Sequence, residues 1–377
     1  MRRRHPAGTA LASVARLRAT AGLVVAIAAL SACGGSTRSS VAPPPTKLPS
    51  TRPDSIYWGA RIGNQLTGHA APWSRQAIVA FNALVGKRVS IIHFESPFAN
   101  CAVSPCAFYP FQSGPMTTIR KMGAIPFFTW GSQSTPSHFS EPDFTLAQVI
   151  DGTYDSYIRK FAEGAKRWGH PFFLRFDPSM NGDWAPWAAN INGNTSSEVV
   201  LAWRHVHNIF TAVGARNVTW VGCPDAGPDD SAANLSALYP GNAYVNWTCL
   251  DGYNSGTNPS AATSWKTFDD IFSSSYQSIV DHVAPSKPMI IGEVASSEHG
   301  GSKSTWIADM LRELPIRYPK IRGIIWSEYY YQGGDWPVET SAAAKNAFAA
   351  GIASSAYVSN RFAKLPPGPI GPPSDRR

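Results

Sequence analysis

Between residues 55 and 365 the chain alternates between short apolar runs and longer amphipathic stretches. The apolar runs fall at 56–62, 89–94, 125–130, 171–176, 218–222, 245–250, 289–291 and 321–326. They are continuous, not alternating, which is the pattern of strands buried on both faces. Stretches at 74–85, 116–122, 154–168, 198–213, 268–283, 305–314 and 342–352 read as helices; Tyr154, Ile158 and Phe161, for example, share one helical face. The connection after the fifth run is shorter, with room for a helix only at 234–239. Eight strand runs, most followed by a helix, predict parallel pairing and an α/β fold, a single (β/α)8 TIM barrel over residues 55–365. A doubly wound open sheet is the alternative. It would carry a glycine-rich phosphate loop after its first strand, and Trp58-Gly59-Ala60-Arg61-Ile62-Gly63 has the wrong spacing for one.

The flanks have a different composition. Arg2–Arg4, Arg16 and Arg18 precede an apolar stretch over 19–30, too short to span a bilayer well, and Leu30-Ser31-Ala32-Cys33 follows. The end of this segment resembles a bacterial lipobox. That resemblance implies a signal peptide over 1–32, cleavage before Cys33 and lipidation of its thiol. An ordinary secretory signal is the alternative, and both readings export the protein. The expected location is therefore the outer face of the bacterial plasma membrane, held by lipidated Cys33, or the medium. Residues 33–54 read as a flexible tether around Pro43-Pro44-Pro45, and the proline-rich residues 366–377 as a disordered tail.

The formal charge of +8 lies mostly in these flanks. The leader carries five arginines and no acid, and the tether and tail are also net positive, so the core is close to neutral. That leaves no electrostatic case for nucleic acid. Export permits disulfides. Setting Cys33 aside, Cys101, Cys106, Cys223 and Cys249 allow three pairings. Cys101 and Cys106 bracket a short loop and are expected to pair. Cys223 and Cys249 each lie near the C-terminal end of an apolar run and are expected to pair across neighbouring strands, with two buried thiols as the alternative. No His/Cys/Asp cluster has metal-ligand spacing: His205 and His207 lie on different helix faces. No cofactor motif is present, and the chain is expected to act as a monomer.

In such a barrel the site lies at the C-terminal ends of the strands. The candidates there are Tyr57-Trp58, His93 to Ser96, Trp130, Asp177 to Asp183 with Trp184 and Trp187, Cys223-Pro224-Asp225, Asp251 to Asn254, Glu293, and Trp326 to Tyr329. Aromatic faces stack on pyranose rings, and carboxylates bond hydroxyls or attack an anomeric carbon, so a polysaccharide or oligosaccharide is the expected partner. Glu293 is the strongest single candidate. It ends an apolar strand and precedes small residues that leave space above it.

These residues together resemble glycoside hydrolase family 26, the β-mannanase family, over about residues 55–360. The resemblance rests on Tyr57-Trp58-Gly59-Ala60, Met180-Asn181-Gly182-Asp183-Trp184-Ala185-Pro186-Trp187, Leu238-Tyr239-Pro240-Gly241, Leu250-Asp251-Gly252-Tyr253-Asn254 and Lys287-Pro288-Met289-Ile290-Ile291-Gly292-Glu293. It implies that Glu293 is the nucleophile, that Tyr253 stands beside it, and that Asn181, Trp184, Trp187 and Trp326 contact sugar. The family's fourth-strand motif reads Arg-Phe-x-His-Glu-Met-Asn-Gly, with Glu as the general acid/base. Here Arg175, Phe176, Met180, Asn181 and Gly182 match, but Pro178 stands at the His and Ser179 at the Glu. A serine hydroxyl is far too weak an acid to protonate a leaving group. The expectation is a degenerate glycosidase that binds a β-linked polysaccharide such as a mannan. The alternative is an active retaining β-glycanase or transglycosylase that uses Glu293 with Asp177, Asp183, Glu95 or Glu328 as a substitute acid. A structural envelope lipoprotein is the third reading.

Overall fold

The computed structural model describes residues 55–227, 230–257, 263–331, 333–359 and 365–374. The leader over 1–32, the lipidation candidate Cys33, the tether to 54 and residues 375–377 lie outside the described residues.

The strands are β1 (Tyr57–Ile62), β2 (Ile91–Asn100), β3 (Ala107–Phe108), β4 (Ile125–Thr135), β5 (Phe172–Phe176), β6 (Val218–Gly222), β7 (Trp247–Asn254), β8 (Met289–Ser296) and β9 (Ile321–Glu328). All but β3 pair in parallel, and the β1–β2 and β1–β9 pairings close the ring, so the fold is a single (β/α)8 barrel. The two-residue β3 pairs antiparallel on β2, and the Cys101–Cys106 disulfide staples this hairpin. The helices are α1 (Arg75–Val85), α2 (Ser113–Lys121), α3 (Leu146–Ile150), α4 (Asp155–Trp168), α5 (Ser196–Val213), α6 (Ala232–Leu238), α7 (Phe268–Ser278), α8 (Lys303–Arg317) and α9 (Ala342–Ala353). Their ends follow local chemistry. The Thr195 hydroxyl accepts from the Glu198 amide while the Glu198 carboxylate reaches back to the Thr195 amide, and α5 stops at Gly214 in the left-handed region, φ 79°.

Several strands outrun their apolar segments. β2 continues to Asn100, β4 to Thr135, β7 to Asn254 and β8 to Ser296. The apolar pattern stops where the rim becomes polar, but the hydrogen-bond ladder continues. Glu95, Asp251, Tyr253 and Glu293 therefore sit on rigid strand and not on loop.

Successive inward positions stack in layers. Tyr57 and Trp247 lie low; Phe127, Phe173, Cys249, Ile290 and Ile325 fill the same inner cluster. The Cys223–Cys249 disulfide joins the residue just past β6 to the lower part of neighbouring β7 inside it, and the expected pairing is present. Two residues above Phe173 on the same inner face comes Arg175, where the interior turns polar. Outward-facing Trp58, Phe128, Trp130 and Trp326 pack in the larger core between the strands and the helices.

The tail departs from expectation. Residues 365–374 are docked, not free. Ile370 is 5% exposed and belongs to the inner barrel cluster. Its carbonyl accepts from Trp247 Nε1 at 2.7 Å, and its amide donates to Thr219 Oγ1 at 2.8 Å. Arg322 donates to the Pro373 carbonyl at 2.8 Å. Prolines prevented a helix or strand reading, but they also lower the entropy lost when an extended segment docks. The one large apolar residue among them, Ile370, supplies the anchor. Ile370→Asp should lower unfolding stability by about 2–4 kcal/mol, because it replaces a buried aliphatic group with an unpaired charge. Urea denaturation measures this, and an unchanged midpoint would show that the tail does not seal the barrel floor.

Candidate active site

The polar layer is organised by the Arg175 guanidinium, which strand alternation places inside the barrel above Phe173. It donates to Asp251 Oδ2 at 2.5 Å, to Glu293 Oε1 at 2.5 Å and to Thr129 Oγ1 at 2.7 Å, and it lies 3.3 Å from His93 Nε2. Asp251 and Glu293 come from paired positions on β7 and β8. Tyr253, two residues above Asp251, donates its hydroxyl to Glu293 Oε2 at 2.5 Å and lies 2.8 Å from Ser327 Oγ. Gly292 permits this convergence: a Cβ there would meet Asp251 Oδ1 and Cys249 Sγ at 2.7 Å.

One guanidinium cannot fully compensate two buried carboxylates, and the pair divides the charge. Burial pushes the Glu293 carboxyl up, but Arg175, assisted by Arg61 and the Tyr253 hydroxyl, outweighs it and brings the pKa down to about 2. Burial dominates at Asp251, and together with the neighbouring Glu293 and Asp225 it raises that carboxyl well above the usual range despite the Arg175 contact. His93 is held neutral by burial and by the Arg175 cation. Burial, and then Glu293, push the Tyr253 hydroxyl well up, so it keeps its proton and remains a donor. The result is an ionised Glu293 with both oxygens oriented, the form a nucleophilic carboxylate requires.

The stretch after β5 is fixed from all sides. The Asp177 amide donates to the Trp130 carbonyl at 3.1 Å, and the Ser179 amide to the Cys223 carbonyl at 2.7 Å. Trp187 Nε1 donates to the Pro178 carbonyl at 2.5 Å. Asp177 and Ser179 both adopt left-handed φ values, 41° and 57°, flanking Pro178. Such strain in residues other than glycine persists only where the surroundings enforce it. Ser179 is buried, and its hydroxyl donates to Asp225 Oδ1 at 2.7 Å.

Several expected sugar contacts are placed differently. Trp326 is 1% exposed and packs against Trp306 and Phe348 in the outer core, because its register points it away from the barrel interior. Trp187 is 4% exposed and braces the Pro178 carbonyl from below Trp184. Asn181 spends its amide on the Asp225 carbonyl, the Asp225 amide and Asp230. Trp184, at 49% exposure, does stand on the rim. Sequence reasoning missed Trp336, whose ring lies 5.2 Å from that of Tyr253, and Arg61, which forks onto Glu95 at 2.6 and 3.1 Å and donates to Tyr329. Neither follows an apolar run as a terminal carboxylate, so no local signal marked them.

The substitute acids considered above are also located. Asp177 turns away from the expected inward direction and accepts from the Ser132 amide and hydroxyl, both at 2.7 Å, because its left-handed backbone breaks the strand alternation. Glu328 is sealed, with Val338 N donating to it at 2.9 Å. Glu95 lies in the Arg61 fork, and Asp183 is exposed on the rim loop. Among ligand-type groups, Cys223, Cys249 and Asp251 come together, but both sulfurs are committed to the disulfide and offer no thiolate.

A closed (β/α)8 barrel with an ionised, clamped carboxylate and a rim tryptophan is the architecture of a glycosidase. Residues 109–336 match the sequence profile of Glycosyl hydrolase family 26, and the chain belongs to that family. It is 32% identical over 296 residues to Endoglucanase H of Acetivibrio thermocellus, an alignment covering 77% of this chain but only 29% of that protein. The chain thus spans less than a third of that relative's length. The fold is similar to the catalytic domain of an endo-β-1,4-mannanase from Bacillus sp. JAMB-750, with a TM-score of 0.63 and 15% identity over 82% of this chain and 89% of the other. It is also similar to mannanase man26 of Bacillus subtilis, with a TM-score of 0.55 and 18% identity over 82% and 87% of the two chains.

Arg175→Met should destabilise the domain by about 3–5 kcal/mol, since it leaves two buried carboxyls without their cation. It should also raise the Glu293 pKa. In the wild type a carboxyl at about 2 is ionised throughout the neutral and mildly acidic range, so attack by Glu293 loses nothing to its protonation down to about pH 4. Denaturant unfolding and the pH profile of single-turnover glycosylation measure the two effects. A wild-type acidic limb at the ordinary carboxylate pKa would contradict the depressed value.

Proposed function

We propose that this protein binds a β-linked polysaccharide, such as a mannan, and that Glu293 attacks its anomeric carbon in a site whose usual proton donor is missing from position 179. One observation carries the reading: Glu293 is held at both oxygens by Arg175 and Tyr253, contacts that favour the ionised form a retaining nucleophile needs. Against this stands Ser179, a hydroxyl where family 26 has its acid/base carboxyl. Loss of general acid help lowers rates about 10²–10⁴-fold. Binding, and glycosylation by donors whose leaving group needs no proton, are the activities least affected by the loss of a carboxyl at position 179. In the same reading the leader exports the protein, Cys33 is lipidated, and the protein acts as a monomer at the outer face of the plasma membrane or in the medium.

Incubation with activated 2-fluoro-β-glycosides of manno- and gluco-oligosaccharides should add one glycosyl group to the protein by mass spectrometry, and Glu293→Ala should add none. A doubly substituted Pro178→His, Ser179→Glu protein should cleave mannan or β-glucan at least about 10²-fold faster than the wild type. A wild type that cleaves polymer at ordinary glycosidase rates would overturn the missing-donor reading. Labelling that survives Glu293→Ala would overturn the nucleophile.

A further inference from the structure

We propose that Asp225 is the proton donor and acceptor for the glycosidic oxygen in this protein, in place of the carboxyl absent from position 179. The inference rests on Glu293 being the nucleophile.

The geometry is specific. Asp225 follows β6, and its carboxyl lies between the substituted position and the rim aromatic. The Ser179 hydroxyl donates to Oδ1 at 2.7 Å, and the Trp184 indole N–H donates to Oδ2 at 3.2 Å. A carboxyl one hydrogen bond beyond the serine oxygen occupies space that a longer side chain at 179 would reach. The backbone is clamped as well: Asn181 Oδ1 accepts from the Asp225 amide at 2.8 Å, and Asn181 Nδ2 donates to its carbonyl at 2.9 Å. Gly182 lets the 179–184 loop close over the carboxyl, since a Cβ there would lie 3.0 Å from Asp225 Oδ2. The Asn181-Gly182 pair therefore acts on Asp225.

Register places this carboxyl across from the nucleophile. Asp225 bridges to Asp251, and Asp251 pairs with Glu293. Two strand spacings of about 4.8 Å put the Cα atoms of residues 225 and 293 about 10 Å apart, which is within the range over which two carboxyls can act on one glycosidic bond. Asp225 is half-buried. Asp177 and Glu328 are buried, and Glu95 is held by Arg61. Burial raises the Asp225 carboxyl above its usual range and Glu293 raises it further, against the opposing bonds from Ser179 and Trp184. A raised carboxyl beside a depressed one is the arrangement an acid and a nucleophile need.

In the first step a Glu293 oxygen bonds to the anomeric carbon. The glycosidic C–O bond breaks, and the departing oxygen takes the proton of the Asp225 carboxyl. In the second, the Asp225 carboxylate takes a proton from water. The water oxygen bonds to the anomeric carbon and displaces the Glu293 carboxylate. Aspartate is shorter than glutamate and is tied by two donors, so turnover through this route stays below that of a site with a glutamate at 179.

The test is Asp225→Asn, compared with wild type on mannan or β-glucan and on a dinitrophenyl β-glycoside. Turnover of polymer should fall by at least about 50-fold. On the activated donor the variant should release one equivalent of phenolate in a burst and then slow. Added azide should restore steady turnover at least tenfold, giving a glycosyl azide. The burst reports a folded site. Polymer turnover equal to wild type, no response to azide, or a wild type that itself stalls after the burst each overturns the Asp225 assignment alone. Absence of a burst from both proteins overturns the nucleophile reading, and the Asp225 assignment with it.

Discussion

The structure depends on a single buried cation. Arg175 is buried inside the barrel with its guanidinium engaged by side chains from β2, β4, β7 and β8, so it ties together strands that are not all neighbours in the ring. Its charge decides which of two carboxyls is ionised. Asp251, the more enclosed, is pushed toward the neutral form, and Glu293, with the Tyr253 hydroxyl at its other oxygen, remains charged. The position of the cation follows from strand alternation: Phe173 points inward, Leu174 outward and Arg175 inward again.

The barrel was legible because buried parallel strands leave a plain apolar signal and the intervening helices leave another. Strand length was not, since β7 and β8 continue through polar residues that hydropathy reads as loop. The docked tail was misread for a related reason. Proline runs lack periodicity, and nothing local indicates that Ile370 meets Trp247 from the far end of the sequence. The Cys223–Cys249 pair was readable because each cysteine lies near the C-terminal end of an apolar run on neighbouring strands, although β7 itself continues to Asn254.

At the site, what could be read were residues at the ends of apolar runs, namely Glu293, Tyr253 and Asp225 as a rim position. What could not be read was orientation. Trp326 lies one residue from inward Ile325, so alternation turns it outward, and it packs behind the barrel. Asp177 should have pointed inward by the same rule, but Pro178 and two left-handed residues break the alternation there. The Met180-Asn181-Gly182 motif looked like part of a sugar-contacting loop. Its amide and its missing side chain instead hold the Asp225 segment.

The charge cluster itself bears on whether the site has a chemical role. Removing an arginine and two carboxyls from water carries a desolvation penalty that their mutual attraction often fails to offset, and apolar side chains of similar volume commonly stabilise a core as well or better. The inner layer just below shows that this barrel can be filled that way, with Phe127, Phe173, Ile290 and Ile325. Stability therefore does not explain Arg175, Asp251 and Glu293. The strained loop at 177–179 points the same way: left-handed aspartate and serine are unfavourable conformations, and they hold a hydroxyl against the Asp225 carboxyl beneath the exposed Trp184. Both unfavourable features lie at the C-terminal ends of the strands. Glu293 is depressed and Asp225, two strands away, is raised, which is the asymmetry that acid-assisted attack at an anomeric carbon requires and that a purely structural barrel does not.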